Sequence, residues 1–182
     1  NMFYLTGFNG IAHKSDEPRP YSVVLARQNP DHPIVVIADY YLATFAANPC
    51  WVSDIRPFRA VMMPLDLPPK QEDIERFIPE AKSGIGWITN SKSHYSFDMA
   101  SSLKGALQDL GLHQGRVGFD DIGFGLRLDL ENVTIIDAYD PLMFARSVKT
   151  EPEITLLERA TQLNEAAIKQ TVASWDKSST WR

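Results

Sequence analysis

The period of the apolar positions changes along the chain, and the changes mark its elements. Tyr21–Ala26 (YSVVLA) and Pro33–Ala38 (PIVVIA) are short β-branched runs. Gln28-Asn29-Pro30-Asp31 separates them as a turn signal, so the pair predicts a β-hairpin. Ahead of it, the aromatic-rich Asn1–Phe8 (NMFYLTGF) is strand-like and broken by Gly7 and Gly10, and the polar stretch 11–20 reads as a loop. Tyr40–Ala47 has helical composition and stops at Asn48-Pro49, because the residue before a proline is pushed out of the α region. Phe58–Met63 (FRAVMM) alternates weakly as a strand closed by prolines, and Lys70–Ala81 is amphipathic with Pro79 to end or kink it. Ile85–Ile88 has the length of a short strand. Asp98–Leu112 then puts Met99, Leu103, Ala106, Leu107 and Leu110 on one helical face. Arg116–Phe119 and Val133–Asp137 are predicted strands around a short helix at Ile122–Leu128. Helix alternating with strand, after an early hairpin, predicts an α/β domain with a mixed sheet flanked by helices on both faces.

After Asp140-Pro141 and a brief amphipathic piece comes the longest helical pattern. Thr150-Glu151-Pro152-Glu153 is a capping box with proline in the first turn, where its missing N–H costs nothing. Ile154, Leu156, Leu157, Ala160, Leu163, Ala167, Ile168 and Val172 share one broad face, and Glu165–Lys169 forms an i,i+4 pair on the other. A helix this long reads as a connector, so residues 1–148 are expected to form the domain and 149–182 the connector helix. On this reading Ile168, Val172, Trp175 and Trp181 remain partly uncovered by their own domain.

Composition narrows the class without changing the fold. The 182 residues suffice for one generous core, and 44% apolar with 23% charged is ordinary for a globular protein. A net charge of -5 with no basic stripe argues against a nucleic-acid partner. Cys50 is the single cysteine, which excludes an internal disulfide and any multi-cysteine metal site. No apolar run approaches membrane-spanning length and no signal peptide is visible, so a cytoplasmic location and no membrane partner are expected.

Candidate chemistry is sparse. The glycines of Gly118–Gly125 follow a strand, but their spacing is neither dinucleotide fingerprint nor P-loop, and Asp120 and Asp121 would repel phosphate. They read as glycines in a strand-to-helix turn. His13, His32, His94 and His113 lack metal-ligand spacing and read as surface histidines; the acid pairs Asp120/Asp121 and Asp137/Asp140 read as solvated turns. Cys50 has no protease-like context, and no nucleophile elbow exists. No catalytic residue, cofactor site or metal site is assigned. The stretch with most functional character is Asn48–Phe58 (NPCWVSDIRPF), read as a loop. Trp51 and Arg56 either line a pocket or interface, or Trp51 packs on the surface with Arg56 paired to Asp54 or solvent.

Four motifs in order carry a resemblance. They are Tyr4-Leu5-Thr6-Gly7-Phe8, Ile37-Ala38-Asp39 followed by Tyr41-Leu42, Arg116-Val117-Gly118-Phe119-Asp120, and Lys149-Thr150-Glu151-Pro152-Glu153-Ile154. Together they resemble the N-terminal domain of the creatinase/prolidase (Xaa-Pro aminopeptidase and dipeptidase) family, with Tyr40 where that family often has arginine. The resemblance implies a mixed sheet with helices on both faces, here without the family's first strand, leading into a "pita-bread" catalytic domain beyond Arg182. That domain would hold two divalent metal ions (Mn, Co or Zn) on Asp, Asp, His, Glu and Glu in a peptidase, or a metal-free site in a creatinase-like amidinohydrolase. It further implies a homodimer, a peptide substrate for the whole protein, and this segment inactive alone. By that analogy Trp51 and Arg56 are candidates for the rim of the active site or for an interface. A stand-alone binding domain is the alternative from another class.

Overall fold

The computed structural model describes residues 1–10, 21–48, 50–60, 70, 74, 77 and 86–175. The chain divides into two units, Asn1–Ala138 and Tyr139–Arg182.

In the first unit the β-branched runs form the hairpin that they predict. β1 (Tyr21–Ala26) pairs antiparallel with β2 (Asn29–Ala38), Tyr21 opposite Ile37 and Ala26 opposite Asn29. The turn is therefore tighter than expected: β2 already starts at Asn29, inside the stretch taken as the turn signal. β3 (Asp54–Phe58) lies parallel to β2 on its other side, with Ile34 opposite Asp54 and Ala38 opposite Phe58, giving the mixed order β1-β2-β3. Ile34 through Ala38 on the central strand are almost wholly buried. Among the described residues β3 has β2 as its only strand partner within the sheet, so Pro57 is tolerated there.

Helices cover this sheet. A single 3₁₀ turn (Asp39–Tyr41) runs into α2 (Leu42–Ala47), which buries Leu42, Phe45 and Ala46. α3 (Trp87–Ser93) packs on β3, and α4 (Met99–Asp109) packs across β1, β2 and β3. The Asp98 side chain caps α4 by accepting from the Ser101 N–H at 2.7 Å, and Leu103, Ala106 and Leu107 are its buried stripe. Phe8, Tyr21, Tyr41, Phe45 and Trp87 form an aromatic cluster, with Phe8 and Phe45 centroids 4.9 Å apart.

Three sequence expectations give way. Asn1–Phe8 is not a strand: Met2–Thr6 is helix α1. Gly7 ends it at φ 74°, with its N–H on the Phe3 carbonyl at 2.8 Å, and the Thr6 hydroxyl donates to Met2 O and accepts from the Phe8 N–H. Five residues hydrogen-bonded to themselves and capped by a left-handed glycine override the β preference of the aromatics. Trp87 and Ile88, expected in a strand, begin α3 instead. Of the strand expected at Phe58–Met63, Phe58 ends a strand that starts upstream at Asp54, Arg59 and Ala60 lie outside that strand, and residues 61–63 fall outside the described residues. Most of Lys70–Ala81 does too.

Among the described residues the last two strands form a separate pair, not joined to the mixed sheet. β4 (Gly115–Phe119) and β5 (Val133–Asp137) are parallel, Gly115 opposite Val133, and α5 (Ile122–Arg127) connects them. Asp121 caps α5 by accepting from the Phe124 N–H at 3.1 Å, and Asp120 accepts from the Asn1 amide at 2.8 Å. A Cβ at Gly125 would come within 2.7 Å of the Phe119 ring. These glycines and aspartates are thus accounted for by packing and capping.

The second unit comprises α6 (Tyr139–Ser147) and α7 (Glu151–Ala173). The capping box forms: the Thr150 N–H reaches the Glu153 carboxylate at 2.8 Å, and Glu165 and Lys169 pair at 3.8 Å. The apolar face of α7 is exposed along its length, from Leu156 (67%) to Val172 (65%). Ile168 and Val172 are exposed; Trp181 lies outside the described residues. No helix among the described residues is long and apolar enough to cross a membrane.

Candidate functional site

Alternation in a strand sends residues i and i+2 to the same side, and in Asp54-Ile55-Arg56 it delivers an acid and a base together. The Arg56 guanidinium grips the Asp54 carboxylate with both ends of its fork, Nε to Oδ1 at 3.0 Å and Nη2 to Oδ2 at 3.1 Å. Its remaining Nη1 reaches Asp109 Oδ2, at the last residue of α4, at 2.5 Å. Asp54 and Arg56 are both buried. The Asn90 side chain of α3 donates to Asp54 Oδ1 at 3.4 Å, and Ser102 of α4 donates to the Arg56 carbonyl at 3.3 Å.

Two histidines stand at the mouth of this cluster. His32 Nε2, near the start of β2, lies 3.3 Å from Asp54 Oδ2, and His94 Nε2, just past α3, lies 4.0 Å from Asp109 Oδ2. Burial alone would raise the Asp54 carboxyl. The hydrogen bonds and charge of Arg56, helped by His94 and His32, outweigh it and hold the group below its ordinary value. Burial likewise works against the Arg56 charge, and the two carboxylates overcome it and push its pKa up.

A second buried carboxylate, Asp39, sits where β2 ends. It accepts from Tyr95 Oη at 2.7 Å, from the Tyr40 N–H at 2.8 Å and from the Ala60 N–H at 3.4 Å. Burial dominates here and raises its carboxyl above the ordinary value against those hydrogen bonds. Cys50 is half-buried, its thiol pushed up by burial, with Sγ near the Val52 carbonyl. That is the opposite of an activated nucleophile.

The structure separates the two residues singled out by sequence. Trp51 is 59% exposed just before β3, whereas Arg56 is 5% exposed and fully engaged by carboxylates. Asp54 is thus the partner that pairing would give Arg56, and the segment Asn48–Phe58, read as a loop, is a buried strand from Asp54 onward. Asp109, His32 and His94 were missed; two of them lie on helix and loop ends far from Arg56 in sequence. The D-x-R alternation could have flagged Asp54–Arg56. Of the other histidines, His113 is exposed and His13 lies outside the described residues. Among the described residues no group of three or more His, Cys, Asp and Glu is placed to hold a metal ion. Comparison with known proteins found no matching family model, curated protein or solved structure.

Proposed function

We propose that this chain is the non-catalytic N-terminal domain of a creatinase/prolidase-type metallohydrolase acting on Xaa-Pro peptides, with the chemistry in a catalytic domain outside residues 1–182. The observation that carries the reading is the order of the four motifs from Tyr4 to Ile154. Two features support it. The motifs fall at element boundaries: the cap of α1, the end of β2, strand β4 and the capped start of α7. And α7 presents an apolar face whose large side chains are exposed. On this reading the sheet is flanked by helices on both faces, α7 leads into the catalytic domain, the domain contributes to a homodimer, and Trp51 lies on the active-site rim. Arg56 then acts from below, holding β3 and the base of the Trp51 segment in place.

The coding sequence beyond Arg182 tests this directly. An Asp, Asp, His, Glu, Glu ligand set is expected there; a related domain lacking those ligands would shift the parent to a creatinase-like amidinohydrolase. Calorimetry of the 182-residue chain with Mn²⁺ or Co²⁺ is the second test. No stoichiometric tight binding is expected, and finding it would overturn the assignment of chemistry to another domain.

A further inference from the structure

The stretch that follows α1 carries an inference that does not depend on the family reading. Asn9-Gly10 is the only Asn-Gly pair in the chain. It stands outside helix and strand, just past the left-handed Gly7 that ends α1. Asn9 is exposed to water and Gly10 is buried. A Cβ at Gly10 would meet the Phe8 ring at 2.8 Å and the Tyr21 ring at 3.1 Å, so this close approach calls for glycine. Among the described residues neither the Asn9 side-chain amide nor the Gly10 N–H has a hydrogen-bond partner.

An asparagine amide is an electrophile for the backbone nitrogen that follows it. Once the Gly10 N–H gives up its proton, the nitrogen attacks Asn9 Cγ. The new N–Cγ bond closes a five-membered cyclic imide, the Cγ–Nδ2 bond breaks, and ammonia leaves. Water then opens the ring. Addition at Cγ gives an aspartyl residue, whereas addition at the Asn9 backbone carbonyl carbon leaves the main chain running through Cγ, an isoaspartyl residue. One water is taken up and one ammonia released, with no oxidant, reductant or enzyme. Glycine in the second position favours closure, because no Cβ crowds the approach and its backbone has the widest choice of conformation.

The other asparagines are each held out of this reaction. Asn29 and Asn48 precede prolines, which have no N–H to give up. Asn90 and Asn164 lie inside α3 and α7, where the following N–H is tied into the helical ladder. Asn132 precedes β-branched Val133, whose N–H donates to the Leu130 carbonyl at 3.4 Å, and the Asn1 amide is engaged by Asp120 at 2.8 Å. We propose that Asn9-Gly10 is a spontaneous modification site, at which the folded chain converts asparagine to aspartyl and isoaspartyl residues, and that the isoaspartyl link loosens α1 from the hairpin. The loosening follows from position. The link adds a methylene to the main chain between Gly10 and Phe8, which is buried against Tyr21 and Phe45.

Prolonged incubation of the full 182-residue chain at pH 8, followed by tryptic mass analysis, tests this in wild type and in Asn9→Gln. The variant keeps an amide at an exposed position, so it folds, but its longer side chain cannot close the five-membered ring. In folded wild type the tryptic peptide 1–14 is expected to gain the mass difference between OH and NH2 ahead of every other asparagine peptide, and to split into two species of equal mass. That gain is lost in Asn9→Gln. The same incubation in urea is the positive control for the chemistry. Incubated wild type should then unfold at a midpoint roughly 2–4 °C below fresh protein, while incubated Asn9→Gln keeps its fresh midpoint. Absence of the gain from the folded chain, whether or not it occurs in urea, overturns the proposal. So does a gain that leaves the wild-type midpoint unmoved.

Discussion

Arg56 is the residue on which the first unit depends most sharply. A buried guanidinium with two carboxylate partners contributes little net stability over an apolar pair, but removing one member strands a buried charge. Arg56→Ala is therefore expected to cost about 3–5 kcal/mol in urea unfolding, whereas Asp54→Leu with Arg56→Met together should cost far less. Acid reports the two buried aspartates with opposite signs. The Asp54 carboxyl is held low in the folded state, so its contribution is present above the ordinary aspartate value and is lost as pH falls through the folded one. Asp54→Asn should flatten the acid limb of a stability–pH profile. Asp39 is held high, so folding loses stability as pH rises from the ordinary value through the folded one. The cost of Asp39→Asn relative to wild type should accordingly be smaller at pH 7 than at pH 3; the reverse order would contradict the burial-dominated account. Side chains of this kind were only half legible in the sequence. Strand alternation pairs Asp54 with Arg56 once the strand is seen, but nothing local brings in Asp109, which lies 53 residues from Arg56.

Elements with a clean period or a cap were read from the chain alone: the hairpin, α4, α5, and α7 with its capping box. Those that were misread had competing signals. β3 contains an acid, a base and a proline in five residues and so lacks an apolar period, and α1 is too short to show a helical one. Separation of β4–β5 from the mixed sheet is a matter of tertiary pairing, which periodicity does not carry. Within that pair Gly125 is the tight contact: a methyl there meets Phe119 at 2.7 Å and Ile135 at 3.1 Å. Gly125→Ala should destabilise by about 1–3 kcal/mol through overpacking, despite its favourable helix propensity. At α7, Thr150→Ala should reduce helix content, by about 0.5–2 kcal/mol of capping free energy, as read by circular dichroism.

At the scale of the whole molecule, the exposed side chains of α7 give the functional proposal a mutational test. Leu156→Gln with Leu163→Gln should leave the unfolding of the isolated 182-residue chain within about 0.5 kcal/mol, as exposed substitutions do. On the proposal above, the same changes in a chain that includes the catalytic domain should lower stability and activity. On the same proposal Trp51→Ala there should raise KM, and with Trp51 59% exposed the unfolding midpoint should move little. The parallel pairing of β2 with β3 carries a consequence for the order of folding. β1 and β2 meet across a two-residue turn, on the microsecond scale of hairpins, whereas β3 pairs only after the chain has traversed α2. Asp109 arrives later still, with α4. The bond from Arg56 to Asp109 closes a loop of 53 residues, whose entropic cost is expected to postpone it on the folding route. Weakening it through Asp109→Asn should leave the refolding limb of the chevron almost unmoved and steepen nothing but the rate at which the native state escapes.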